Sequence, residues 1–380
     1  MQTTLPDGAS CAAATRDAVA ALFPILQGQG YQIVGPTLRD GAITCDVLEK
    51  FAELPAGWTD EQSPGRYRLK KRDDSAMFGY NVGPQGWKRY LHPPELKMFE
   101  GTRDGESFCI LKSPPPPVKR AFFGVRPCEL VAIERQDRIF LSDRYLDPGY
   151  RANRQNALII AVNCTQSAGT CFCTAMHTGP EAHSGFDLCL TELAARGVFL
   201  IESGSQTGAE LLAQIDHRAP TPEEMAAADE AIDHAARNIE RTLNTEGLRD
   251  LLFESFEHPR WDHVAARCLS CANCTLVCPT CFCTTVEDVT DVTGNHAERW
   301  RKWDSCFTDS FSYIHGGSVR LSVKSRYRQW LTHKLAAWVD QFGTSGCVGC
   351  GRCITWCPGR IDITEEVAAL RGAEPVRSGS

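Results

Sequence analysis

Along the first two thirds of the chain, hydrophobic positions come in short blocks whose spacing alternates between helical and strand-like. An alanine-rich stretch over residues 12–26 predicts a helix that stops at Gly28-Gln29-Gly30. Residues 31–34 and Ala42–Leu48 follow as β-type runs joined through Asp40-Gly41, a pair that favours a tight turn. Residues 107–111 predict a further strand leading into Pro114-Pro115-Pro116-Pro117. Prolines lack the N–H donors of a sheet or helix, so that segment is expected to be a stiff polyproline crossing. Arg120–Val125 then reads as a buried strand feeding a helix over residues 128–140. Ala157–Val162 and residues 198–201 are apolar runs of strand length, the second preceding a helix near residues 206–215. This alternation predicts an α/β domain over residues 1–219, with a parallel or mixed sheet covered by helices.

The pattern changes at residue 220. Thr221, a suitable N-cap, precedes Pro222-Glu223-Glu224 and a polar, alanine-rich helix reaching about residue 243. Residues 220–245 therefore read as a helical connector. Residues 246–367 are cysteine-rich, and between their two cysteine runs a helix is predicted over residues 325–342, with Trp330 and Trp338. The expectation is a mainly helical ferredoxin-like domain that holds two clusters. Residues 368–380 read as a flexible polar tail.

Composition changes this picture in one respect. The 380 residues are 43% hydrophobic and 23% charged, an ordinary globular balance with length for two or three domains. A formal charge of -7 gives no electrostatic reason to bind nucleic acid. No apolar run approaches the roughly 18 residues of a membrane span. Residues 1–10 lack the basic-then-apolar pattern of a secretion signal. A cytoplasmic location without membrane or nucleic acid is expected. Nineteen cysteines are the departure, and in a reducing compartment they point to metal ligation rather than disulfides.

Eight of them form two runs. Cys268, Cys271, Cys274 and Cys278 follow a C-x2-C-x2-C-x3-C spacing closed by Pro279, and Cys347, Cys350, Cys353 and Cys357 repeat it with Pro358. Two intervening residues let three thiolates converge on one cubane, while three more and a proline send the fourth sulfur to its neighbour. This is the bacterial two-cluster ferredoxin spacing. The expected ligation is crossed: Cys268, Cys271, Cys274 and Cys357 on one 4Fe-4S cluster, Cys278, Cys347, Cys350 and Cys353 on the other. Zinc competes as a reading, but zinc ribbons supply pairs rather than quartets with a trailing proline. Gly349 and Gly351 are expected to clear room for backbone beside the cluster sulfides. The basic residues Arg320, Lys324, Arg326, Arg328 and Lys334 read first as a solvated helix face, and second as charge that offsets a cluster or docks a partner.

Cys164, Cys171 and Cys173 follow one predicted strand end and Cys128 follows another. Strand ends on one sheet edge lie close together, so these four could hold a third cluster, although four buried thiols would give the same pattern. Thr280-Cys281-Phe282-Cys283-Thr284 echoes Thr170-Cys171-Phe172-Cys173-Thr174. With Cys306 it supplies only three thiols, too few for a four-thiolate site, so packing beside the clusters is expected. Cys11 is isolated, and Cys45, Cys109 and Cys189 read as small core residues. Gly28-Gln29-Gly30 lacks the third glycine of a dinucleotide fingerprint, and no P-loop or hydrolase elbow occurs. His177 and His183 read as solvated loop residues. No catalytic residue is assigned, and the chain is expected to carry electrons without performing the chemistry that uses them.

Gly124-Val125-Arg126-Pro127-Cys128-Glu129-Leu130, Cys171-Phe172-Cys173, Gly185-Phe186-Asp187-Leu188 and both ferredoxin runs together resemble a known family. It is the iron–sulfur β subunit of cytoplasmic NADP-linked nickel–iron hydrogenases (sulfhydrogenases), a family that also includes the corresponding electron-transfer subunit of anaerobic sulfite reductase. The resemblance extends over about residues 31–367. It implies an electron-transfer subunit beside a flavin subunit that carries FAD and a 2Fe-2S centre and uses NAD(P)H. It also implies small iron–sulfur and large nickel–iron hydrogenase subunits. Cys128, Cys164, Cys171 and Cys173 fit the family pattern, which strengthens the expectation of a third cluster. Two alternatives remain: electron transfer to a sirohaem partner in a sulfite reductase, and sulfur or polysulfide reduction at the Cys171/Cys173 thiol pair.

Overall fold

The computed structural model describes residues 11–112 and 117–372, with the side chains of Leu111 and Lys112 left aside. The predicted polyproline segment, apart from Pro117, and most of the polar tail lie outside these residues. In chain order the strands are β1 (Cys11–Thr15), β2 (Gln32–Arg39), β3 (Ala42–Leu48), β4 (Trp58–Ser63), β5 (Arg66–Lys71), β6 (Glu95–Asp104) and β7 (Ser107–Lys112). They continue with β8 (Arg120–Val125), β9 (Ala157–Val162), β10 (Leu188–Leu193), β11 (Val198–Ser203), β12 (Thr284–Thr290) and β13 (His296–Trp303).

A seven-stranded mixed sheet, ordered β1-β11-β10-β9-β8-β2-β3, forms the centre of the α/β part. Its middle strands β10, β9, β8 and β2 are parallel, which explains why β8 and β9 are apolar almost throughout: both sheet faces are covered. One face packs on Val19, Leu22, Phe23 and Leu26. The other packs on Leu130, Ala132 and Ile133 of the helix Pro127–Phe140, together with Tyr150. The predicted helix over residues 12–26 starts later than expected. Ala12, Ala13 and Ala14 pair antiparallel with Ile201, Leu200 and Phe199 as edge strand β1, and helix begins only at Arg16 behind a Thr15 cap. Sheet pairing here outweighs alanine's helical preference. The connector helix forms with Thr221 and Glu224 as a capping box, but spans Pro222–Arg237 and so ends earlier than predicted.

The cysteine-rich part packs the helices Leu248–Glu254, Arg260–Ala265 and Ile363–Leu370 with the helical stretch 323–342. Their shared core includes Trp261, Tyr327, Trp330 and Leu331. It is not helical throughout, which corrects the expectation of a mainly helical region. Residues 284–303 form the hairpin β12–β13, which joins β6 and β7 in a four-stranded sheet ordered β12-β13-β6-β7. One sheet thus draws strands from both sides of the 220–245 stretch. Among the described residues, no helix is long and apolar enough to cross a membrane.

Candidate iron–sulfur centres

The parallel sheet places two cysteines at the carboxyl ends of adjacent strands. Cys128 opens the helix after β8, and Cys164 follows β9 by two residues. Loops at this edge of an α/β sheet are the usual place for a site. Asn163 fixes the loop, since its Oδ1 accepts from Ala182 N at 2.8 Å and its Nδ2 donates to Thr191 Oγ1 at 2.9 Å. The buried Arg126 guanidinium donates to the carbonyls of Phe78 and Tyr80, both at 2.8 Å, and to Asn163 O at 3.3 Å. Cys171 and Cys173 enter from the following loop. All four thiols line one cavity, the inner quartet, and Cys350 of the second ferredoxin run lines it as well.

Cys268, Cys271, Cys274 and Cys357 line a second cavity, walled by Phe307, Tyr327 and Trp330. This is the outer quartet: Cys271 is exposed, and Leu269 beside it is 69% exposed. Cys353 also lines this cavity. Between the two cavities, the thiols of Cys278, Cys347, Cys350 and Cys353 lie close enough to perturb one another and form the middle quartet. In space, Cys357 therefore stands with the first run and Cys278 with the second.

The donor sets fit multi-iron centres better than a single ion. Four sulfurs about 2.3 Å from one zinc would stand under roughly 4 Å apart. Among the described residues, no three cysteine sulfurs lie within 4.8 Å of one another. Sulfurs on separate corner irons of a cubane stand farther apart. The electrostatics also call for a cation. Burial, then neighbouring thiols, pushes Cys128, Cys274 and Cys353 well above the ordinary thiol range. Burial pushes Cys347 up to about 11 and Cys171 up to about 12. Crowded thiols in a low-dielectric cavity give up their protons only to a positive centre. Cys278 is the exception, held well below the usual range by a hydrogen bond from Cys281 and then by Lys334.

Residues 267–361 match the 4Fe-4S dicluster domain family. The chain is also 35% identical over 292 residues to the Sulfhydrogenase 2 subunit beta of Pyrococcus furiosus, an alignment covering 75% of this chain and 84% of that one. The chain belongs to the sulfhydrogenase β-subunit family. No solved structure matches it.

In this sulfhydrogenase β-type chain the loops of the inner and middle quartets are held together by backbone and threonine hydrogen bonds. Phe172 N donates to Gly349 O at 2.9 Å, and Thr178 Oγ1 donates to Val348 O at 2.6 Å. The hydroxyls of Thr170 and Thr355 lie 2.8 Å apart. Gly349 and Gly351 make room for this contact between the loops. Both have positive φ, and a β-carbon at Gly351 would fall 2.3 Å from Thr170 O.

Other expectations need correction too. Lys334 and Arg326 are buried rather than on a solvated face, while Lys324 pairs with Asp262 at 3.0 Å. Cys109 is exposed on β7 and Cys45 only half-buried, whereas Cys189 is a core residue as expected. Cys281 sits against Cys278, and Cys306 lies near Cys274 and Cys283. His177 and His183 are exposed.

Sequence reasoning missed Lys88. It is buried, and its Nζ donates to Cys278 O at 2.9 Å, Cys281 O at 3.3 Å and Leu276 O at 3.4 Å, 3.8 Å from the Trp303 ring centre. Neither its spacing nor its neighbours in sequence signal that role.

Proposed function

We propose that this chain is the electron-transfer subunit of a cytoplasmic NAD(P)-linked nickel–iron hydrogenase complex, and that its three cysteine quartets hold three 4Fe-4S clusters in a row. One observation carries this reading: the middle quartet is shared by both neighbours. Cys350 lines the inner cavity and Cys353 lines the outer one. Membership of the sulfhydrogenase β-subunit family supports it independently. Clusters bound there would each accept and release one electron at a time. The chain's own residues hold them at fixed separation, keep water away on the Phe307, Tyr327 and Trp330 wall, and present one end at Cys271 for exchange with a partner.

The partners this reading requires are a flavin subunit carrying FAD and an iron–sulfur centre, and the small and large nickel–iron subunits. No catalytic residue is assigned to the chain itself. Purification of the native complex, with nickel analysis and an assay of hydrogen-dependent NADP reduction, tests the proposal. Nickel and hydrogen-linked reduction are expected. A nickel-free complex with sirohaem absorbance would replace it with the sulfite reductase reading.

A further inference from the structure

Two buried lysines contact Cys278, Lys334 at its sulfur and Lys88 at its carbonyl. The helical stretch 323–342 is interrupted by a π-helical turn, His333–Ala337, which changes the direction in which its side chains point. Such turns occur frequently at functional positions, because they give up regular hydrogen bonding. Here the turn contains Lys334, which is buried, as is Arg326 of the same basic segment. An ammonium has three protons, and three acceptors meet them: Cys278 Sγ at 3.2 Å, Thr280 Oγ1 at 3.2 Å and Gly346 O at 3.0 Å. Thr280 donates its own hydrogen to Gly346 O at 2.6 Å, so it accepts from the lysine. No carboxylate is among these partners. On the main chain of the same segment, Lys88 is bound to the carbonyls of Leu276, Cys278 and Cys281.

A buried ammonium is costly unless negative charge lies beside it. The acceptor aligned with Lys334 that can carry such charge is the Cys278 sulfur. On the outer quartet, the corresponding contact is a neutral one, the backbone N–H of Ile361 on Cys357 Sγ at 3.4 Å. Local charge and hydrogen bonds to sulfur are levers that set a cluster's potential, and a nearby cation favours the state with one more electron.

We propose that Lys334, backed by Lys88, raises the reduction potential of the middle centre, so that an electron entering the row rests there. The step balances as one electron gained, with no bond made or broken. The proposal rests on the reading of Cys278 as a ligand of that centre.

The test is an EPR-monitored redox titration of the full-length chain, prepared without oxygen with its iron intact. In Lys334→Met, the reduced-to-oxidised ratio of one centre, at that centre's wild-type midpoint, should fall at least about tenfold, equivalent to about 59 mV for one electron. The other midpoints should stay in place, and Lys334→Arg, which keeps the charge, should hold the centre close to its wild-type midpoint. Unchanged midpoints in Lys334→Met at full iron content would overturn the proposal. If that variant loses iron, Lys88→Met carries the test. A smaller shift of the same centre in the same direction is expected, and no shift overturns the proposal. Cys278→Ser separates the two possible failures. If it leaves all signals and iron unchanged, Cys278 is not a ligand and the underlying reading fails. If it alters one centre while the lysine variants alter none, only the lysine proposal fails.

Discussion

Gly351 adopts φ +74°, in the left-handed region, with Thr170 O where a β-carbon would go. Gly351→Ala must either strain its backbone or push the Thr170–Cys173 segment away from the second ferredoxin run. A cost of roughly 1–3 kcal/mol is expected, read as a lower thermal midpoint and earliest loss of the inner centre's signal. An unaltered midpoint with full iron would contradict the packing of these loops. His92 gives a pH prediction. It is 0% exposed, its ring lies 4.7 Å from Phe140, and its Nε2 has no partner. Burial, and then Arg301 and Lys88, lower its pKa to about 3. Below about pH 6.5 the unfolded chain takes up a proton here that the folded chain does not. Stability should therefore fall as pH drops from about 6.5 toward 3, by about 2 kcal/mol at pH 5 from this group alone. His92→Phe should reduce the loss in urea midpoint between pH 7 and pH 5, and an equal loss in both proteins would count against it. Among single residues, the ferredoxin cysteines stand out because the spacing of a 4Fe-4S dicluster domain is local in sequence. Lys334 could be named only as one of five basic residues with two readings, and Lys88 not at all, because their burial depends on a π-helical turn and on contacts far away in sequence.

Between elements, the most consequential contact is Arg352 with Glu129. Both are buried, and Arg352 Nη2 meets Glu129 Oε1 at 2.6 Å while its Nε donates to Gly83 O at 2.6 Å. Glu129 also accepts from Arg126 N at 3.2 Å, closing the start of the helix Pro127–Phe140. The pair thus ties the helix carrying Cys128 to the run carrying Cys350 and Cys353. Arg352→Met leaves a buried carboxylate unpaired and should cost about 3–5 kcal/mol in chemical denaturation. Adding Glu129→Gln should recover part of that loss, and a single variant as stable as wild type would rule out this linkage. Strands β8 and β9 were readable because both faces are buried and their sequences are nearly all apolar. The β12–β13 hairpin was not, because it is held by polar pairs. Lys97 bridges Glu100 and Glu298 at 2.7 Å each, and Arg299 meets Asp288 at 2.6 Å. A strand reading His-Ala-Glu-Arg-Trp-Arg-Lys-Trp offers no apolar alternation to recognise.

The whole chain converges on the middle quartet. The α/β sheet edge supplies the inner thiols, the helical stretch 323–342 supplies walls and a lysine, and the second ferredoxin run reaches both neighbours through Cys350 and Cys353. The outer and middle quartets could be anticipated from two repeated motifs. The inner one could only be suggested, since Cys128 and Cys164 meet Cys171 and Cys173 through parallel strand order that spacing does not encode. Three cubanes are the central claim, and counting metal in the isolated chain tests it most directly. Iron and acid-labile sulfide, measured without oxygen alongside EPR of the reduced protein, should each approach twelve per chain, roughly four for each centre. About eight would remove the inner centre, and zinc in place of iron, or no iron, would contradict the row altogether.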